Sequence, residues 1–305
     1  MSFIDTAAQI VSLFLIMIVG YVMYKRNVID DAATIRYTKL IINISLPSQI
    51  ITAFISNQGI VSNKEVLTVF GITIVAYAVY AIVGILFVTL TRVPKSKRGT
   101  YMFMTMFGNV GFMGFPVITA IFGEEALIYA VIFMVIFNVL VYSFGILLIN
   151  TNEENRGFQV KKLINMPFIA ATLSIILYFA NIRLPNVVMN SLDFMGNVTT
   201  TVAMLILGAT VATMPIKELF DEWRIYLFIA VKLVIMPVVA IFFMQFVEVS
   251  ELIRGTVIVL SATPVATNAT MLAIEYGGDT KLTSKGIFFT TILCVISIPL
   301  ITLII

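Results

Sequence analysis

Gly108-Asn109-Val110-Gly111-Phe112-Met113-Gly114-Phe115-Pro116 and Ser261-Ala262-Thr263-Pro264-Val265-Ala266-Thr267-Asn268 each interrupt a long apolar run with residues that a helix interior tolerates badly. Proline removes a backbone donor and its ring clashes with the preceding turn. Each glycine costs about 1 kcal/mol in a helix interior. In lipid, backbone groups freed in this way must be satisfied by protein or by a water-filled cavity. Two interrupted spans at matching places in a membrane chain point to a transporter's binding site.

The surrounding composition supplies the membrane. The chain is 60% hydrophobic and only 11% charged, with a mean hydropathy of +1.06. Soluble domains carry about 25% charged residues. No polar stretch is long enough for a soluble domain, and the N-terminal stretch lacks the basic region and small-residue cleavage site of a cleavable signal. The single cysteine, Cys294, lies in an apolar run, so a disulfide framework is excluded. The chain has no histidine. Ser–His catalysis, His-ligated metal and imidazole proton relays are thereby excluded. No cofactor, metal or nucleic acid is expected.

A helix needs about 20 apolar residues to cross the hydrocarbon core. Ten segments qualify, at 5–24, 36–56, 65–91, 98–122, 125–150, 163–181, 190–213, 223–246, 254–276 and 283–305. An all-α polytopic membrane protein is expected. Fifteen basic residues fall on the side opposite the N-terminus and three, Lys64, Arg183 and Arg254, on the same side. Basic loops face the cytoplasm. Both termini are therefore expected outside the cell, in a multi-pass plasma-membrane protein. The longest loop, 151–162, divides the chain into a first five-helix repeat (1–150) and a second (163–305). Because five is odd, the second must be inverted. Arg98-Gly99-Thr100 and Arg254-Gly255-Thr256 open the two broken spans from opposite sides. At about 1.5 Å per residue, both breaks lie about 15 Å in, near the bilayer midplane. Spans two (Asn43–Gln49) and seven (Leu207-Gly208-Ala209-Thr210) are also expected to be interrupted.

Asn43-Ile44-Ser45-Leu46-Pro47, the span-four stretch quoted above, and Ala273-Ile274-Glu275-Tyr276-Gly277-Gly278 closing span nine resemble the auxin efflux carrier family, whose bacterial members include malate and malonate permeases. The likeness covers nearly the whole chain. It implies two inverted five-helix repeats, with spans four and nine unwound and crossing as in bile-acid/sodium symporters, and an organic anion as substrate. Homodimerisation is an expectation of the resemblance alone. The plant members' long cytoplasmic loop is missing here.

Half-helix N-termini at such a crossing present N–H groups to a carboxylate. Unwound carbonyls suit a cation. Candidate substrate-binding residues are Asn109, Gly111, Gly114 and Pro116 in span four, and Thr263, Pro264, Thr267 and Asn268 in span nine. The bland alternative is close helix packing through small residues. Asn43 and Pro47 either face the same cavity or form a hinge. Lys232 is the one basic residue deep in a span, where an ionisable group is a functional candidate. It either faces the bundle interior or snorkels to the interface. Glu275 is a coupling group or a helix-end carboxylate. Coupling is left open between carbonyl-bound sodium, protons through Glu275, and membrane potential alone. The expected function is a secondary carrier of small organic anions. The alternatives are a sodium-coupled bile-acid-type symporter and a channel or sensor on the same scaffold; an intramembrane enzyme lacks the ligands it would need.

Overall fold

A computed structural model describes residues 3–149, 164–213 and 222–305. The loop 151–162, with Arg156, Lys161 and Lys162, and also Lys217 lie outside the described residues. Among the described residues the fold is entirely helical, with isolated bridges but no strand. The helices are α1 (Phe3–Lys25), α2 (Asp31–Leu40), α3 (Leu46–Ser56), α4 (Asn63–Leu90), α5 (Lys95–Met106), α6 (Phe115–Phe122), α7 (Leu127–Leu140), α8 (Ile146–Ile149), α9 (Met166–Phe179), α10 (Asn186–Ala212), α11 (Trp223–Ala230), α12 (Met236–Met244), α13 (Glu251–Ser261), α14 (Asn268–Tyr276) and α15 (Thr280–Thr302).

Among the described residues, seven continuous helical stretches are long and apolar enough to cross a membrane: Ala8–Lys25, Asp31–Ser56, Asn63–Leu90, Glu124–Ile149, Asn186–Ala212, Trp223–Met244 and Thr280–Thr302. Large apolar side chains stand exposed along them, among them Leu67, Leu90, Val187, Phe194 and Phe242. Water would penalise such a surface and hydrocarbon suits it. The chain is a polytopic membrane protein. The other three expected spans differ for local reasons. The segment at 163–181 yields α9, a 14-residue helix beginning Met166-Pro167 behind an Asn165 cap. The segments at 98–122 and 254–276 are each split by a non-helical stretch, at 107–109 and 262–267.

Span seven corrects the sequence reading. Gly208 does not interrupt it, because α10 runs unbroken for 27 residues. Span two is corrected as well: it stays helical throughout Asp31–Ser56. A π-helical turn, Ile41–Ser45, joins α2 to α3. The same device precedes α6 (Val110–Gly114) and α12 (Val231–Ile235). Each of these turns is followed by a proline at the second residue of the next helix, namely Pro47, Pro116 and Pro237. A proline has no N–H for the carbonyl four residues earlier, and its ring collides with that carbonyl. Here those carbonyls belong to Asn43, Phe112 and Leu233, inside the wide turns. The wider i→i+5 spacing accommodates the ring and keeps the helix going.

The chain packs as two compact units, Met1–Phe70 with Gly111–Val135 and Ile164–Thr213, and Gly71–Val110 with Ile136–Leu163 and Met214–Ile305. Each draws on both halves of the sequence, so these packing units are a different division from the repeats 1–150 and 163–305. In the first unit α1 lies directly on α10. A Cβ on Gly20 would fall 2.2 Å from the Leu205 carbonyl oxygen, and one on Gly208 would fall 1.8 Å from that of Met17. Small residues give helices in lipid this backbone-to-backbone approach. Lys25 Nζ donates to the Ala212 carbonyl at the C-terminus of α10 (3.0 Å). α3 packs against α9 and α10.

The second unit is centred on aromatic packing. The rings of Phe87, Tyr101 and Phe228 form a triangle with centroids 5.3, 6.0 and 5.7 Å apart. Phe103 and Phe107 form a separate pair at 4.7 Å, and Phe107 also meets Tyr77 at 6.0 Å. α5 packs on α8, and α14 on α15.

Candidate functional site

The two interrupted segments of the second unit are bonded to each other. Gly108 and Val265 form an antiparallel bridge. The Asn109 amide donates to the Pro264 carbonyl (2.8 Å), and the Ala266 amide donates to the Phe107 carbonyl (3.1 Å). In an uninterrupted helix the Asn109 amide would donate to Thr105 and the Pro264 carbonyl would accept from Asn268. The breaks therefore exchange within-helix bonds for bonds between segments. This satisfies backbone groups that lipid could not.

Two carbonyl and amide positions left over by the exchange are met by side chains. The Thr105 carbonyl, which lost Asn109, accepts from Lys232 Nζ (3.1 Å). The Val265 amide donates to Thr290 Oγ1 (3.0 Å), and that hydroxyl donates to the Gly286 carbonyl (2.6 Å). Thr290 is fully buried. Thr290→Val should therefore leave the Val265 N–H buried without an acceptor. We expect this to destabilise the protein by about 1–3 kcal/mol. Thr290→Ser keeps the oxygen and should remain close to wild type, as read by unfolding in detergent.

Gly108 is required by this geometry. A Cβ there would sit 2.3 Å from Thr263 Oγ1 and 3.5 Å from Lys232 Nζ. The Thr263 hydroxyl is itself held by donation to the Leu260 carbonyl (2.6 Å). Three short helices end at the paired segments. α5 and α13 bring their C-terminal carbonyl ends, and α14 brings its N-terminus, beginning at Asn268. The site thus has both signs of helix-end partial charge.

Of the residues expected from sequence, Asn109, Thr263 and Pro264 come together in buried positions at the paired segments. Thr267 and Asn268 follow at the start of α14, half-buried. Asn268 Oδ1 is buried with no hydrogen-bond partner among the described residues. Lys232 reaches the same place from the π-turn between α11 and α12, and its side chain is fully buried. Glu275 does not belong to the cluster. It is exposed, seven residues along α14 from Asn268 and so about 10 Å away along the axis.

The remaining candidates belong to the first unit. Gly111, Gly114 and Pro116 lie in the π-turn and first turn of α6, helical instead of unwound. Gly111 approaches Leu46, its Cβ position being 3.9 Å from that side chain, and Pro47 is buried in the next position. Asn43 is exposed and donates to the carbonyl of Lys39 in its own helix (2.7 Å).

Sequence reasoning did not reach Thr105 or Thr290. The only available signal was the hydroxyl pair Thr290-Thr291 in an apolar span, which resembles ordinary interhelical glue.

Relatives place this geometry in context. The chain is 27% identical over 300 residues to an uncharacterized transporter of Methanocaldococcus jannaschii, covering 94% of each chain. It is 24% identical over 305 residues to an uncharacterized transporter of Methanothermobacter thermautotrophicus, covering 98% of each. A family model described as membrane transport protein matches residues 6–302. The chain belongs to that family of membrane transporters, the auxin efflux carriers.

Proposed function

We propose that this protein is a secondary carrier for small organic anions, working by alternating access. In this reading its ten spans form two inverted five-helix repeats. Spans four and nine cross near the bilayer midplane, where the paired breaks form the substrate site. The carboxylate is held by N–H groups at the start of α14 and by the side chains of Asn109, Thr267 and Asn268, while Thr263, its hydroxyl committed to the Leu260 carbonyl, lines the site. Pro264 keeps span nine open. Such a site binds an anion through helix-end dipoles and neutral donors, with the Lys232 side chain engaged by the Thr105 carbonyl, so it can also let go.

The observation that supports this reading is the pair of bonds between breaks, Asn109 to Pro264 and Ala266 to Phe107. Ordinary helix packing needs no such exchange. An anion would leave a negative-inside cell downhill by about 2.3 kcal/mol per charge per 100 mV. Purified protein in liposomes loaded with radiolabelled malate tests the proposal. Efflux should rise when a potassium–valinomycin gradient makes the lumen negative. If malate, malonate and monocarboxylates all stay inside, the carrier reading is wrong. Single-channel currents would instead assign a channel.

A further inference from the structure

We propose that the ammonium of Lys232 is the resident cation of the paired breaks: it takes the place that a bound alkali-metal ion would occupy, and the protein works without sodium. This rests on the carrier reading for its functional part, but its structural part stands alone. The first observation is the bond from Nζ to the Thr105 carbonyl (3.1 Å). That carbonyl is the one orphaned when Asn109 turned to Pro264. It lies in the last turn of α5, where helix carbonyls lack partners and the dipole is negative. Half-helix C-terminal carbonyls of this kind are among the usual ligands of a coupling cation in broken-helix transporters. Here a tethered cation already holds one.

The second observation is the absence of a counter-charge. Lys232 is 1% exposed and has no carboxylate partner among the described residues. An isolated buried ammonium is costly unless dipoles surround it. The Thr105 carbonyl and the C-terminal end of α5 around it supply such dipoles. The third observation is delivery. The π-turn Val231–Ile235, which accommodates Pro237, carries Lys232. Gly108 leaves room for Nζ beside the bridge.

Substitution with a readout specific to cations tests this. Wild-type protein should show the same melting temperature and the same carboxylate flux in sodium chloride as in choline chloride. Lys232→Ala removes the ammonium and opens space. It should melt lower in choline chloride and recover when ethylammonium chloride or sodium chloride is added, a dependence the wild type lacks. Lys232→Met fills the space without charge. It should lose at least tenfold in flux and gain nothing from either salt. The inference is overturned if sodium raises the wild-type melting temperature or flux, or if Lys232→Met matches wild type in both. It is overturned equally if Lys232→Ala folds but ignores added cations. If no carboxylate moves in any condition, the carrier reading falls. The melting data in the three salts still decide the cation assignment.

Discussion

Gly108→Ala is expected to abolish carboxylate flux. The added methyl would lie 2.3 Å from Thr263 Oγ1, well inside van der Waals contact. Thr263 cannot simply rotate away, because its hydroxyl is bonded to the Leu260 carbonyl at 2.6 Å. The remaining relief is to separate Gly108 from Val265. That would break the two amide–carbonyl bonds that join the segments. Overpacking of this kind costs about 1–3 kcal/mol, and losing the bonds would leave buried backbone groups without partners. A flux at least tenfold below wild type, with protein still folded in detergent, is the expected result. Gly108→Ala combined with Thr263→Ala removes the colliding hydroxyl and should recover much of the loss. A near-additive double variant would show that the collision is not the cause.

Gly208→Ala is expected to have the largest effect on stability. Its Cβ would lie 1.8 Å from the Met17 carbonyl oxygen and 2.7 Å from the Tyr21 amide nitrogen. Both are backbone atoms of α1, so no side chain can swing aside. α1 and α10 would have to move apart along the stretch where Gly20 also touches Leu205. We expect a loss of about 3 kcal/mol, at the upper end for overpacking. Gly71→Ala is the control. It sits in α4 with nothing within 4 Å of the added atom, and helix propensity favours alanine there by about 1 kcal/mol. Unfolding in a denaturing detergent should order the proteins Gly71→Ala, wild type, Gly208→Ala.

The breaks were legible in the sequence because their signal is local. Gly108-Asn109 and Thr263-Pro264 are poor helix residues in otherwise apolar runs, and the chain comes out of helix at both. Glycine and proline carry a different meaning elsewhere. Gly208 reads as a breaker, yet it is helical, because its role is to let another backbone approach. Pro47 and Pro116 read as interruptions, yet π-turns absorb them. A π-turn depends on the whole helix register and leaves no residue-level mark beyond the proline. Lys232 was visible as a buried charge, but its partner was not. A backbone carbonyl such as that of Thr105 becomes an acceptor only after a distant amide has turned elsewhere. Thr290 went unread for the same reason. Its importance comes from the Val265 N–H, which the break had freed.

The most direct measurement is equilibrium binding of radiolabelled malate to the purified protein and to its Asn109→Ala and Asn268→Ala variants. Hydrogen bonds to a charged group contribute about 1.5–3 kcal/mol, and about 1.4 kcal/mol is tenfold in affinity. Saturable binding to wild type, weakened about tenfold or more in each variant, is the outcome expected of an anion held at the paired breaks. Saturable binding that is the same in all three proteins, or no saturable binding of this or any other small carboxylate, would contradict it.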